Sequence, residues 1–114
     1  MSNNIRIRKA DGTWVVRAAG AVIAESANAL ELTENGYDDV IYFPRADVAM
    51  AVLDSTDHKT TCPHKGEASY FDVVGTNRTI KNGAWSYETP HDEVAKIAEH
   101  IAFYGGEYVK IEQL

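Results

Sequence analysis

The densest set of reactive and hydrogen-bonding side chains lies in residues 60–70, which read T-T-C-P-H-K-G-E-A-S-Y. Pro63 fixes its own φ angle and Gly66 can adopt a left-handed turn, so this segment can form a rigid loop. Such a loop would present a thiol, an imidazole, an ammonium and several hydroxyls together. The candidate ligand-binding residues in it are Thr61, Cys62, His64, Lys65, Ser69 and Tyr70. The alternative is a hairpin loop whose Pro63 and Gly66 serve backbone geometry alone.

Cys62 and His64 raise the question of a thiol nucleophile or a metal site. A nucleophilic cysteine needs a neighbouring base or cation, and residues two apart on a strand share a face. A single cysteine in a β-rich core is more often a small buried apolar group. Because the chain has one cysteine, an intramolecular disulfide and a four-cysteine zinc site are excluded. We predict no metal and no cofactor, and keep a thiol reaction as a further hypothesis.

A second candidate segment, residues 42–47, reads Y-F-P-R-A-D. Tyr42, Arg45 and Asp47 combine an aromatic ring, a cation and a carboxylate around a proline bend, and Arg45 would be the partner of an anionic ligand. The alternative is a local surface ion pair between Arg45 and Asp47, worth less than about 1 kcal/mol.

Aromatic residues recur in two later segments, A-W-S-Y at residues 84–87 and H-I-A-F-Y at residues 100–104. The ligand-binding candidates here are Trp85, Tyr87, His100 and Tyr104. Trp85 is also expected to anchor the core. His100 follows Ile97 by three residues, so on a helix both would share the apolar face. A histidine there is more often a hydrogen-bonded core residue than a catalytic base.

These residues must be positioned by short strands. Turn signals such as Asp11-Gly12, Asn35-Gly36 and Asn82-Gly83 separate segments rich in β-branched and aromatic residues, which predicts antiparallel sheets. We predict that the strand around residues 5–8 pairs with the strand around residues 14–17 across Asp11-Gly12. The fold class is mainly β, or α+β by element count, in a single domain over residues 1–114.

One α-helix is predicted over about residues 90–102. Thr89 can cap it and Pro90 suits its first turn. Val94, Ile97 and Ile101 then fall at helical spacing and form one apolar face. The helix should end before Gly105-Gly106.

Composition argues against several classes of partner. Seventeen acidic and 11 basic residues give a net charge of -6, whereas nucleic-acid binding usually needs a basic face. The densest basic run, Arg6, Arg8 and Lys9, suits a solvated edge strand. The N-terminus lacks the apolar stretch of a signal peptide, and no apolar run approaches the roughly 18 residues that span a membrane. We expect no nucleic-acid or membrane partner and a cytoplasmic location.

Four motifs in order resemble domain-of-unknown-function family 427. They are Y-F-P-R-x-D-V from residue 42, T-x-C-P-x-K-G-x-A-x-Y from residue 60, A-W-x-Y from residue 84 and H-x-x-F-Y from residue 100. The resemblance implies a fold similar to the β-tent of Mss-four-like zinc proteins and B-type methionine-sulfoxide reductases. Zinc-bearing relatives use pairs of C-x-x-C, but Lys65 stands where a second cysteine would follow Cys62. The resemblance thus implies a site without zinc, and it implies no particular reaction.

The leading functional hypothesis is a domain that binds a small anionic molecule on a concave sheet face, with or without catalysis. The residues expected to line that face are Tyr42, Arg45, Thr61, Lys65, Tyr70, Trp85 and Tyr87. The alternative is a protein-interaction module, such as a homodimer that uses exposed strand edges or aromatic residues.

Overall fold

The computed structural model describes residues 4–18 and 20–114. The expectation about the N-terminal stretch concerns in part residues 1–3, which lie outside the described residues. The strands are β1 Arg6–Lys9, β2 Trp14–Ala18, β3 Ala21–Ser26, β4 Leu30–Thr33, β5 Val40–Pro44, β6 Leu53–Cys62, β7 Gly66–Val74, β8 Thr79–Ser86, β9 His100–Phe103 and β10 Val109–Gln113. Short 3-10 helices lie at Arg45–Asp47, Met50–Val52 and Asp92–Ile97.

The strands form two antiparallel sheets, which confirms the prediction of a mainly β chain. A seven-stranded sheet has the order β1-β4-β5-β9-β8-β7-β6, and a three-stranded sheet has the order β10-β2-β3. The basic strand β1 is an edge strand, as its exposed Arg6, Arg8 and Lys9 predicted. Within the described ranges, no helix is long and apolar enough to cross a membrane.

The larger hydrophobic core joins the two sheets. Phe71 of β7 lies opposite Ala84 of β8, which lies opposite Phe103 of β9, so their side chains share one face of the large sheet. Phe43 and Phe103 meet edge to face with ring centroids 6.0 Å apart. This face packs against residues of the small sheet such as Val16. Burial of these aromatic rings contributes to the apolar stabilisation of the fold.

The opposite face of the large sheet carries a second apolar cluster. Tyr70 of β7 lies opposite Trp85 of β8, and Trp85 lies opposite Ala102 of β9. Val94 and Ile97, from the segment before β9, pack against this cluster. They cover only part of the face, and the remainder stays open.

The predicted pairing of the first two strands is wrong. β1 pairs with β4, with Ile7 opposite Leu32, whereas β2 pairs with β3 and β10. Gly12 has a φ of 75°, and the turn it makes carries the chain from the large sheet to the small one. Side-chain alternation identifies a strand with one wet face but does not identify its partner, because both sheets offer an apolar face.

The α-helix predicted over about residues 90–102 is also wrong. Only a short 3-10 segment forms at Asp92–Ile97, and within it Val94 has non-helical angles of φ -123° and ψ 27°. Glu99 has a φ of 62° and the chain then enters β9. Because β9 lies between β5 and β8, Ile101 and its neighbours are buried, and the resulting continuous apolar run also fits a helical pattern.

NMR can test whether Ile101–Phe103 form a strand and not a helix. The Cα chemical shifts of Ile101–Phe103 should lie below their random-coil values, as extended backbone requires, and Hα–Hα contacts should join β8 to β9. Ala84 and Phe103, which lie opposite each other, provide the pair to observe. A run of positive Cα shifts through these residues would restore the helix.

Candidate functional site

The open part of this second face holds a cavity of about 580 Å³, which we call the Lys65 pocket. Its walls are Leu32, Glu34, Asn35, Tyr37, Asp38, Val40, Tyr42, Cys62, Pro63, His64, Lys65, Tyr70, Trp85, Tyr87 and Tyr104. Eight of the 13 residues selected from the sequence are among them, namely Tyr42, Cys62, His64, Lys65, Tyr70, Trp85, Tyr87 and Tyr104.

Strand alternation brings the aromatic walls together. Trp85 and Tyr70 are cross-strand neighbours, and Tyr87 and Tyr104 follow the ends of β8 and β9. Tyr42 of β5 meets Trp85 edge to face, with ring centroids 6.4 Å apart. Tyr104 lies against the other side of the site, its ring centroid 4.4 Å from that of Trp85. The pocket is therefore an aromatic box built on four strands.

Lys65 is held by the turn between β6 and β7. Its amide donates to the carbonyl of Cys62 at 3.2 Å, and its own carbonyl accepts from the amide of His91 at 2.9 Å. Gly66 has a φ of 116°, and a Cβ there would lie 3.4 Å from the carbonyl oxygen of Thr89. The segment after β8 thus clamps the turn, which requires glycine at position 66.

Glu34 approaches from the turn between β4 and β5. It follows β4 directly, and its carbonyl accepts from the amide of Tyr37 at 3.1 Å. Asn35-Gly36 form the tight turn that the sequence predicted, and Gly36 has a φ of 86°. Glu34 continues the alternation of Leu30 and Leu32, so its carboxylate points toward the same side as those side chains.

The two turns are joined by an ion pair in which Lys65 Nζ donates to Glu34 Oε1 at 2.9 Å. The side chains are 12% and 7% exposed, respectively. β4 and β7 are four strand spacings apart, or about 19 Å in a flat sheet, which exceeds the combined reach of the two side chains. The two turns are therefore closer together than a flat sheet would place them, which fits a sheet that curves toward this face.

Burial opposes the positive charge of Lys65, but the hydrogen bond with Glu34 and neighbouring negative groups outweigh it. The pKa of Lys65 is therefore raised above its ordinary value, and the ammonium is retained at neutral pH. One of its three N–H groups donates to Glu34, which leaves the others available for acceptor atoms in the pocket.

The phenols supply neutral hydroxyl groups around this ion pair. Burial raises the pKa of Tyr42 and Tyr87 well above the ordinary phenol value. Burial and a hydrogen bond with Tyr70 raise the pKa of Tyr104 to about 12. Trp85 Nε1 donates to the Tyr42 hydroxyl at 3.4 Å. At neutral pH these groups donate and accept hydrogen bonds without adding charge.

Cys62 and His64 both line the pocket, at the end of β6 and in the following turn. Cys62 is half-buried and packs against the second apolar cluster, so its thiol has the packing role expected from the sequence while part of it faces the pocket. Among the described residues there is no group of three or more histidine, cysteine, aspartate or glutamate side chains arranged to hold a metal ion.

Arg45 and Asp47 lie outside the Lys65 pocket, and they do not pair with each other as the alternative proposed. Arg45 Nη2 donates to Glu88 at 2.6 Å, and the guanidinium lies 5.9 Å from the centroid of the Phe71 ring, on the core face of the sheet. Arg45 Nε is buried and has no hydrogen-bond partner among the described residues. Asp47 accepts from the Ser26 hydroxyl at 2.6 Å. These residues fasten loops to the sheets.

Thr61, Ser69 and His100 also lie outside the pocket. Thr61 and Ser69 are offset by one residue from Cys62 and Tyr70, so alternation sends their side chains to the opposite face. Ser69 accepts from Lys59 Nζ at 2.9 Å. His100 lies on β9 and not on a helix, and its Nδ1 lies 2.8 Å from the backbone carbonyl oxygen of Ala98.

Sequence reasoning missed the wall made by the β4–β5 turn, above all Glu34 and Asp38. A signal for Glu34 was present, because a charged residue that continues the apolar alternation of Leu30 and Leu32 toward a turn suggests a buried carboxylate. Asp38 carried no such pattern, since its position depends on the concave shape of the sheet.

The ion pair can be tested by stability measurements. Lys65→Met removes the ammonium beside a carboxylate that is 7% exposed and should lower the free energy of unfolding by about 3 kcal/mol, the low end for a buried pair. The double variant Lys65→Met/Glu34→Gln should recover part of this loss. Urea denaturation provides the measurement. Lys59→Met, on the exposed side of the same hairpin, is the control and should cost under about 1 kcal/mol; equal losses for both lysines would contradict the account.

Comparison with known proteins agrees with the resemblance in the sequence. A search of the curated proteins found no match. The family model described as Domain of unknown function (DUF427) matches residues 6–113, a range that contains every strand from β1 to β10. The chain therefore belongs to the DUF427 family of domains of unknown function.

Proposed function

We propose that the Lys65 pocket binds a small molecule with a planar ring and a neutral hydrogen-bond acceptor. The observation that supports this is the convergence of six aromatic side chains and one buried ion pair on a single concave cavity. Its volume of about 580 Å³ falls within the roughly 300–1,000 Å³ that is usual for small-molecule sites. No reaction is proposed.

The aromatic walls favour a flat ligand. Trp85 and Tyr104 lie at an interplanar angle of 41°, and Tyr42 stands nearly perpendicular to Trp85 at 86°. A ring placed among them gains offset stacking on one side and an edge contact on another. The phenol hydroxyls then fix its polar substituents.

The charge balance favours an acceptor that is neutral. Glu34 already neutralises Lys65, so a ligand carboxylate beside the ammonium would also face the Glu34 carboxylate. Arg45, the second cation on which the anionic hypothesis relied, lies outside the pocket. A carbonyl or ether oxygen can take a free N–H of Lys65 without leaving a charge unpaired. The anionic ligand stays a prediction that the experiment below weighs against a neutral one.

Other predictions from the sequence remain open. A homodimer that uses Trp85 and Tyr87 stays a prediction, although Tyr87 is 6% exposed and lies within the pocket. The likeness to a β-tent and the cytoplasmic location stay predictions as well, as does a thiol reaction at Cys62.

A titration with three probes of equal ring size tests the proposal. Benzamide, benzoate and benzylamine present a neutral acceptor, an anion and a cation to isotope-labelled protein. We expect benzamide to shift the amide signals of Glu34 and Lys65 and the indole signal of Trp85, and to bind more tightly than benzoate. Benzoate binding most tightly would favour the anionic ligand, and shifts confined to other parts of the molecule would overturn the site.

Matched variants show whether Lys65 makes the contact. A hydrogen bond from a charged donor is worth about 1.5–3 kcal/mol, so Lys65→Met should weaken benzamide binding about tenfold or more. Lys59→Met should leave it unchanged. If Lys65→Met disturbs folding, Tyr87→Phe provides the test instead. This variant keeps the aromatic ring and removes only the hydroxyl, so it should weaken benzamide binding with a smaller effect on the structure. As a second readout, bound benzamide should slow iodoacetamide labelling of the half-buried Cys62.

A further inference from the structure

The rings of Trp85 and Tyr104, which lie 4.4 Å apart between centroids, line two cavities. Beyond the Lys65 pocket lies a second groove of about 600 Å³, whose floor includes Trp14, Phe103 and Ile111. The two cavities share Asp38, Val40, Trp85 and Tyr104 as walls. Because the two cavities share these walls they adjoin, so a molecule that fills the first can extend toward the second.

The second groove differs from the first in charge. Its charged walls are Glu31, Asp38 and Asp39, and none of the lysines and arginines in the described ranges lines it. Glu31 is paired with Arg8 at 2.9 Å, and Arg8 also lies within electrostatic range of Asp39. Asp38 is exposed and has no hydrogen-bond or ion-pair partner among the described residues. One carboxylate at the junction of the two cavities is thus free to meet a ligand.

An aromatic surface beside a free carboxylate suits a cation. Ammonium groups bind over the faces of tryptophan and tyrosine through the ring quadrupole, and Trp85 and Tyr104 offer such faces next to Asp38. An alkyl tail would suit the groove less well, because covering Asp38 would remove water from an unpaired carboxylate. A second anionic group would be repelled by all three acids.

We propose that this groove holds the positively charged end of the ligand whose ring occupies the Lys65 pocket. The ligand would be elongated, with an acceptor-bearing ring at one end and an amine or quaternary ammonium at the other. The proposal rests on the proposed function for the identity of the first half, whereas the cation site itself can be tested alone.

Tetramethylammonium chloride tests the cation site without any ligand for the first pocket. The chain has two tryptophans, Trp14 and Trp85, and both line the groove, so their indole N–H signals report on it directly. We expect tetramethylammonium to shift both signals relative to sodium chloride at the same ionic strength. Asp38→Asn should abolish the difference, and Asp54→Asn, the same charge change on β6, should not. Equal effects of the two salts on the wild-type protein would overturn the cation site whether or not benzamide binds.

A second comparison tests the link between the two halves. 4-(2-Aminoethyl)benzamide and the uncharged 4-propylbenzamide have similar length and the same ring. The amine should bind about two- to fivefold more tightly, as a cation–π contact at a partly exposed site allows, and added salt should reduce the difference. Equal affinity for the two compounds, with both still bound in the Lys65 pocket, would overturn the elongated ligand and leave the proposed function intact. Failure of all benzamides, with a tetramethylammonium response retained, would instead remove the proposed function.

Discussion

Alternation of side chains across the seven-stranded sheet decides where each functional group lies. Phe71 and Phe103 point toward the small sheet and form part of the core. Tyr70, which adjoins Phe71 on β7, and Trp85, whose partner on β9 adjoins Phe103, lie on the other face and point into the pocket. A shift in register of one residue would exchange the two sets. The site therefore depends on the same packing that stabilises the fold.

The ion pair of Lys65 and Glu34 adds a polar centre to the pocket, which the alternation of side chains along the strands does not supply. Aromatic strands alone would give an apolar face open to water, but the pair draws two distant turns together across the concave sheet. It places a permanent but neutralised ammonium among phenols that carry no charge at neutral pH. Under the function proposed above, the direction of hydrogen bonds would select the ligand more than net charge would, and a neutral acceptor would be preferred to an anion.

The sequence carried local information about the site more faithfully than long-range information. The hairpin at Lys65 and the aromatic segments were recognisable because turn residues and strand alternation act over a few positions. Arg45 was predicted to lie in the pocket because it is close to Tyr42 in the sequence. Closeness in sequence does not reveal on which face of the sheet a side chain lies, and Arg45 binds Glu88 outside the pocket. The false helix arose because the apolar run around Ile101 serves a strand buried on both faces. Asp38 and the curvature that positions it follow from strand order, which alternation does not encode.

The resulting picture is a concave aromatic site with a neutral polar centre and an acidic extension. The most direct test of its centre is a crystal structure of the protein soaked with benzamide. We expect the ring to lie against Trp85, among the aromatic walls of the Lys65 pocket, with its carbonyl oxygen within about 3 Å of Lys65 Nζ and the Lys65–Glu34 pair intact. Benzamide bound on the opposite face beside Arg45 and Glu88, or a Lys65 ammonium turned away from a ligand in the pocket, would contradict it.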